Sequence, residues 1–336
     1  ERVLLEALVV DLGAILGDEE SVADLAVERV GHPDNGGERD RWVGGRLGPR
    51  LVGPALVDHG AQFFTTRNRK FAEWVDVLLA DDLVYEWCRG FGNADGYPRF
   101  VARGGMAELA RILAREVPVR LDCPVRAVIA GAERWQVVVE GEDETTEATA
   151  VLLTAPVPQS LRILEAGGVA LDHDEEEGLP GIAYDSTLAL VAVLDGPPAV
   201  ARPGAVQPDV GPFSFVADNE AKGLSEVPAL TLHASAAVSS SLWTESDSKV
   251  IANLLDAAEE YVAGREVRDV QLTRWEYATP RVVWTNRCAT VAESPGPLLL
   301  AGDAFGGPRV EGAWLSGDAA AATILKRLDV DPVTGP

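Results

Sequence analysis

The chain has 336 residues, 47% of them apolar and 24% charged, with 53 acidic against 29 basic side chains and a formal net charge of −24. That length allows one large domain or two ordinary ones, and the composition is globular rather than disordered. A surface this negative repels phosphate backbones and anionic lipid, which argues against nucleic acid and membrane partners.

The rarer residue types narrow the field further. Cys88, Cys123 and Cys288 are odd in number and scattered, so there is neither a disulfide framework nor zinc spacing. His32, His59, His173 and His233 are far apart in sequence, so no metal is expected. Lysine occurs only at 70, 222, 249 and 326. An acidic, lysine-poor surface suits a salt-rich cytoplasm, although a high-GC genome depletes lysine as well. No apolar run is long enough to span a bilayer and no secretory leader is visible. A soluble, cytoplasmic protein is expected, and the opening at Glu1 leaves room for a trimmed start.

In chain order, residues 3–10 read as a mostly apolar first strand, followed by a glycine-containing turn with Gly13 and Gly17. Residues 21–30 read as a short amphipathic helix. Ser21 and Asp24 resemble a capping box, Val22, Leu25, Ala26 and Arg29 form one stripe, and Gly31 is the stop. Strand, glycine turn and helix open a dinucleotide-binding fold, but the G-x-G-x-x-G fingerprint is incomplete. Asp18, Glu19 and Glu20 stand where a pyrophosphate would meet the helix N-terminus, and they oppose a bound phosphate. Residues 32–37 are turn chemistry rather than a second buried strand.

Gly44, Gly45 and Arg46 make a tight turn followed by a cation, suited to a phosphate or equally to a solvated loop. Residues 58–64 end in an aromatic pair, more often core than cofactor wall. Residues 68–79 and 81–87 are predicted helices, with Phe71, Val75, Leu78 and Leu79 inward. Gly104 and Gly105 lead into a helix ending near 116, with Met106, Leu109, Ala110 and Leu113 on its buried stripe.

From residue 119 the period becomes two, predicting an antiparallel meander over 119–121, 125–129 and 135–140, then an acidic turn over 142–147. Residues 150–156 are an apolar strand closed by Pro156, which places it at a sheet edge. Beyond 160 the texture changes. Strand-like runs at 187–194, 212–217, 229–234 and 267–275 accompany one clear helix over 247–262.

Residues 297–317 begin as a buried strand, stop at Gly302-Asp303, turn at Gly306-Gly307 and restart as a helix rich in small residues. A carboxylate at a strand end, followed by a helix N-terminus, offers an acceptor for hydroxyls and N–H groups for an electron-rich edge. An ordinary strand–loop–helix joint is the bland alternative.

The ordered set GGRL (44–47), DHGAQFFT (58–65), RGGM (103–106), LLTAPVP (152–158), RWEYATP (274–280) and AGDAFGGPRVEGAWLSG (301–317) resembles the renalase-like flavoproteins of the amine-oxidase-like FAD superfamily. The resemblance implies an α/β fold: an FAD/NAD(P)-binding Rossmann-like domain (1–70, 101–160 and 291–330) carrying an inserted mixed α+β substrate domain (71–100 and 161–290). It places Gly302 and Asp303 on the ribityl chain, and Val310, Glu311, Gly312 and Ala313 at the flavin ring. Gly13, Gly17, Gly44, Gly45 and Arg46 fall near the pyrophosphate, Glu38 on the adenosine ribose and Val125 near adenine.

Gln62, Phe63, His233 and Trp275 become candidate pocket residues, although core roles for His233 and Trp275 are at least as common. The implied reaction is hydride transfer from a dihydronicotinamide, an aberrant NAD(P)H isomer, to flavin with oxygen as acceptor; an amine is the lesser donor. Lys222, in the polar run DNEAKG, reads as a solvated loop residue and so offers no counterpart to the flavin-side lysine of amine oxidases. The broken fingerprint leaves open a non-catalytic fold relative that has lost FAD.

Overall fold

The computed structural model describes residues 8–10, 26–27, 43–91, 96–115, 117–121, 123–171 and 178–329. The chain divides into two compact units, each built from separated segments. Glu1–Gly45, Leu113–Ala183 and Pro280–Pro336 form the first; Arg46–Ile112 and Tyr184–Thr279 form the second. The cuts differ from the sequence expectation. Residues 46–70 and 101–112 pack with the second unit, and residues 161–183 and 280–290 with the first. Helices and sheets are mixed throughout, an α/β fold, and no helix among the described residues is long and apolar enough to cross a membrane.

In the first unit five strands run in the order Ala289–Ala292, Leu298–Leu300, Ala150–Leu153, Leu8–Val10, Ala26–Val27. Ala150–Leu153 is therefore central, not at the edge. All four of its residues are buried, and it pairs in parallel with Leu298–Leu300. Proline does not close the sheet there, because the strand ends at Leu153 and Pro156 instead caps a helix, Val157–Ala166, that the sequence pattern did not reveal. Ala150, Leu152, Leu299 and Ala301 pack on Ala320 and Ile324 of the helix Val310–Arg327.

Ala26–Val27 is a strand antiparallel to Leu8–Val10, so the predicted helix over 21–30 does not hold there. The rest of that span, with Gly13, Gly17, Asp18–Glu20, residues 32–37 and Glu38, lies outside the described residues. The meander comprises Val125–Ala130, Trp135–Val139 and Thr146–Ala148; residues 119–121 form no strand. Its buried Trp135 ties it to the sheet by donating Nε1–H to the Gly296 carbonyl at 3.0 Å.

The second unit is organised by period-two alternation in a five-stranded sheet that includes Tyr184–Leu194, Phe213–Asp218, Ala229–Ala234 and Val267–Pro280. Leu188, Leu190, Val216, Leu230, Leu232 and Leu272 share one face and bury it against Val250, Leu254 and Val262. The covering helices are Ala236–Leu242, Asp247–Ala257 and Glu259–Val262, so the expected single helix over 247–262 is broken at Ala258. Residues of opposite parity form the other face. Val191, Val193 and Ala229 meet Val52, Ala55 and Val57 of the hairpin Pro49–Val52/Ala55–Asp58.

The helix expected over 68–79 is Arg69–Ala80, and Asn68 caps it by accepting from the Lys70 N–H. The predicted helix over 81–87 is instead a strand, Val84–Cys88, paired with Arg99–Ala102. Asp82 at φ 56° stops helical continuation, and the β-branched and aromatic residues that follow favour pleated pairing. Helix Ala107–Leu113 is shorter than predicted, and Leu113, expected on its buried stripe, is 53% exposed.

Candidate functional site

In the first unit the two parallel strands leave the sheet side by side. The Ala301 N–H donates to the Leu153 carbonyl at 3.0 Å, so the turns at 154–156 and 301–303 are neighbours at the carboxyl end of the sheet. That is where open α/β sheets hold ligands. Gly302 sits at φ 137°, a conformation glycine adopts without strain, and its N–H donates to Ser316 Oγ at 2.9 Å. Ser316 passes its own hydrogen to the Arg287 carbonyl, fixing the turn to the long helix.

Asp303 opens the short helix Asp303–Gly306, and Gly307 turns the chain at φ 103° into Val310–Arg327. The joint is closed backbone on backbone. A Cβ on Gly312 would stand 2.2 Å from the Gly307 carbonyl oxygen, and one on Gly306 would stand 1.8 Å from that of Gly312. Only glycine permits this approach, which brings the first turn of an 18-residue helix beside the strand end. Arg309, at the cap position, makes no side-chain hydrogen bond to that turn.

The structure thus brings Gly302, Asp303, Val310, Glu311, Gly312 and Ala313 around one joint, with Glu311 and Gly312 buried. An acceptor carboxylate next to an N-terminal helix turn, held by glycines with no room for a Cβ, fits a flavin's ribityl hydroxyls and electron-rich ring edge. Gly44 and Gly45 lie at φ 125° and 52° in a turn leading into a single 3₁₀ turn. Val125 is buried in the meander opposite Val139.

In the second unit a different group assembles. Lys222, expected in a solvated loop, is 3% exposed, and its Nζ donates to Asp58 Oδ2 at 2.6 Å. The other Asp58 oxygen accepts the Met106 N–H at 2.9 Å, which accounts for the glycine entry: a Cβ on Gly105 would stand 3.0 Å from Asp58 Oδ1. Burial pushes the Lys222 ammonium below its ordinary pKa, with Asp58 pulling in the opposite direction. Lys222 also lies 5.3 Å from the centroid of the Trp87 ring. Sequence reasoning missed this pair because its members are 164 positions apart and a lysine in a polar run reads as solvated.

The candidate pocket residues mostly serve the same loop. Gln62 is buried and spends its amide on the carbonyls of Asp58, at 2.6 Å, and Gly60, at 3.1 Å. His233 Nε2–H and Trp275 Nε1–H both donate to the His59 carbonyl, at 3.0 and 3.2 Å. A carbonyl only accepts, so Nε2 is the protonated nitrogen of His233. Burial lowers the pKa of that imidazole to about 4, keeping it neutral. Arg46, read as a phosphate contact or a solvated side chain, is half-buried, and Nη1 donates to the carbonyls of Tyr277 and Ala278.

Phe63 stands with Trp87, Phe91 and Phe215 in an aromatic cluster with ring separations of 5.1 to 5.8 Å. The Arg99 guanidinium lies 6.0 and 5.6 Å from the Phe63 and Phe91 centroids.

A parallel strand pair, a glycine-built joint and an uncapped helix turn define a dinucleotide-type α/β protein. A family model described as flavin containing amine oxidoreductase matches residues 76–325, well over half of the chain. The chain belongs to that family, and FAD is the cofactor that membership implies. A putative protoporphyrinogen oxidase from Exiguobacterium sp. 255-15 is similar at 18% identity, over 68% of this chain and 52% of that one, with a TM-score of 0.50. A putrescine oxidase with putrescine bound is similar at 21% identity, over 68% of this chain and 54% of that one, also at 0.50. At these identities the likeness concerns the fold, and the chain spans about half the length of these structures.

Proposed function

We propose that the chain is an FAD-dependent oxidoreductase in which the first unit holds the cofactor and the second selects a small organic hydride donor. The observation that carries this is the joint at 302–313: an acceptor carboxylate and a helix N-terminal turn locked together by Gly306 and Gly312. Bound FAD would supply the hydride acceptor, with oxygen as the final acceptor of the electrons. The chain's task is then to bind and orient. Asp303 accepts from the ribityl hydroxyls, and the backbone at 310–313 meets the ring edge.

For the donor, the proposal is a dihydronicotinamide of the renalase type. Support comes from the aromatic cluster of the second unit, approached by Arg99 and by the Asp58-paired Lys222. Flat rings stack on such a cluster. An amine is the second reading, favoured by the likeness to a putrescine oxidase. The buried Lys222 removes one objection to it, but Lys222 Nζ is committed to Asp58.

The visible absorption spectrum of the purified chain incubated with FAD tests the cofactor, and anaerobic mixing tests the donor. Flavin absorbance is expected to bleach with dihydronicotinamide isomers and to persist with diamines. Bleaching by amines alone reverses the choice, and a colourless chain that takes up no FAD ends the enzyme reading.

A further inference from the structure

Ser316 is fully buried within the helix Val310–Arg327, yet its hydroxyl does not serve that helix. A serine or threonine inside a helix commonly returns its hydrogen to the carbonyl four residues back. Thr323 of the same helix does so, donating to the Ala319 carbonyl at 2.8 Å. Ser316 turns away instead. Its Oγ accepts the Gly302 N–H at 2.9 Å and donates to the Arg287 carbonyl. A hydroxyl has a single hydrogen, so the bond to Arg287 fixes its direction and presents a lone pair to Gly302.

Both ends of this relay belong to larger pieces. Gly302 immediately precedes Asp303, and the residue after it, Ala304, accepts the Trp284 N–H at 2.7 Å. Segment 281–287 is therefore fastened to the chain on both sides of Asp303, through Ser316 to Gly302 and directly to Ala304. The segment contains no helix or strand residue, and within it only Trp284 is partly buried. The Trp284 ring lies over Gly178, where a Cβ would stand 2.3 Å from the indole. A stretch this exposed takes its order from its anchors.

We propose that Ser316 is a positioning residue for FAD. By holding the Gly302 N–H it sets the turn that carries Asp303, and by the same hydroxyl it ties the order of segment 281–287 to the presence of the cofactor. The proposal rests on the reading that Asp303 accepts from the ribityl hydroxyls. A ligand that holds Asp303 still also steadies Gly302 and Ala304, and with them both anchors of the segment. Segment 281–287 is then a surface strap that tightens when FAD binds and slackens when it leaves.

Ser316→Ala in the full chain tests this, with FAD titrated into flavin-free protein and amide hydrogen exchange followed over 281–287, without FAD and at concentrations that saturate each protein. In wild type, FAD is expected to slow exchange in the segment, at the Trp284 N–H most of all. In the variant the FAD dissociation constant is expected to rise about tenfold, the scale of one lost hydrogen bond to a buried group. The slowing by FAD over 281–287 is expected to fall below half of the wild-type factor. A serine that only supports packing would speed exchange in both states and leave the FAD-dependent difference intact. That result, or wild-type exchange over 281–287 that ignores FAD, overturns the proposal. Should the alanine variant not fold, Ser316→Cys, whose thiol is a weak donor and acceptor, gives the same comparison. Asp303→Asn separates the two failures. A raised dissociation constant in Asp303→Asn beside an unchanged one in Ser316→Ala overturns the proposal alone, and unchanged constants in both overturn the reading with it.

Discussion

At the carboxyl end of the sheet in the first unit the shape is made by backbone. Gly302, Gly306, Gly307 and Gly312 let main-chain atoms approach where any side chain would intrude. Around Asp58 in the second unit the shape is made by side chains: one carboxylate takes an ammonium and a backbone N–H, and one carbonyl takes an imidazole and an indole. The first arrangement sets a helix N-terminal turn that no side chain caps beside a strand end. The second consumes nearly all of its own hydrogen-bonding capacity. A region shaped by backbone and a region shaped by side chains therefore differ in who supplies the polar atoms.

The sharpest way to break this contrast is Lys222→Met. It leaves the Asp58 carboxylate, 1% exposed, without its cation, and the expected loss of stability is about 3–5 kcal/mol. Urea unfolding measures it. Adding Asp58→Asn should return part of the loss, because an asparagine oxygen can still accept the Met106 N–H. A loss below about 1 kcal/mol in the single variant would mean that the pair behaves like a surface ion pair.

The same contrast explains what the sequence revealed. The strand end, Asp303, the glycine turn and the helix start lie within 17 consecutive residues (301–317), so their chemistry is legible by reading along the chain. The network draws on Asp58, Gln62, Lys222, Thr231, His233, Thr273 and Trp275, whose neighbourhood exists only once the sheet has formed. Lys222 in its polar run looked solvated for that reason. Parity gave a partial clue: Thr231, His233, Thr273 and Trp275 all oppose the helix-covered face, so alternation alone places them together. The strand Val84–Cys88 was misread because Val, Tyr and Trp at these spacings serve either period, and only the backbone at Asp82 decides.

Gly312→Ala probes the backbone-built side. In an open helix the change would gain roughly 1 kcal/mol from propensity. Here the new methyl would meet the Gly307 oxygen at 2.2 Å and Gly306 at 2.7 Å, so the helix start must move. A net loss of about 2 kcal/mol is expected by calorimetry, together with reduced flavin retention. A stabilised variant would show that the joint is looser than its geometry.

His233 gives the network a pH signature. Its folded pKa, about 4, lies below the ordinary value of 6.5. Between these values the unfolded chain binds a proton that the folded chain does not, so stability rises with pH across this window and falls as the pH drops from 6.5 towards 4. The contribution, discounted because the ring is only half-buried, is on the order of 1–2 kcal/mol. Denaturation midpoints at pH 7 and 4.5 should therefore fall further apart in wild type than in His233→Gln, whose amide cannot titrate there.

Trp275→Phe carries the smallest expected effect and tests whether the His59 carbonyl is over-supplied. The indole N–H lies 3.2 Å from that oxygen, while the His233 Nε2–H, at 3.0 Å, remains when the indole is lost. The acceptor is then never orphaned, and the phenyl ring keeps most of the packing beside His59, 4.9 Å from the present indole. A loss of only about 1 kcal/mol is expected by urea unfolding. Removing both donors, with His233→Leu added, strands a buried carbonyl, so the double variant should lose more than the sum of the two single losses. Strict additivity would mean that the two donors do not share this acceptor in solution, and the network would then have polar capacity to spare.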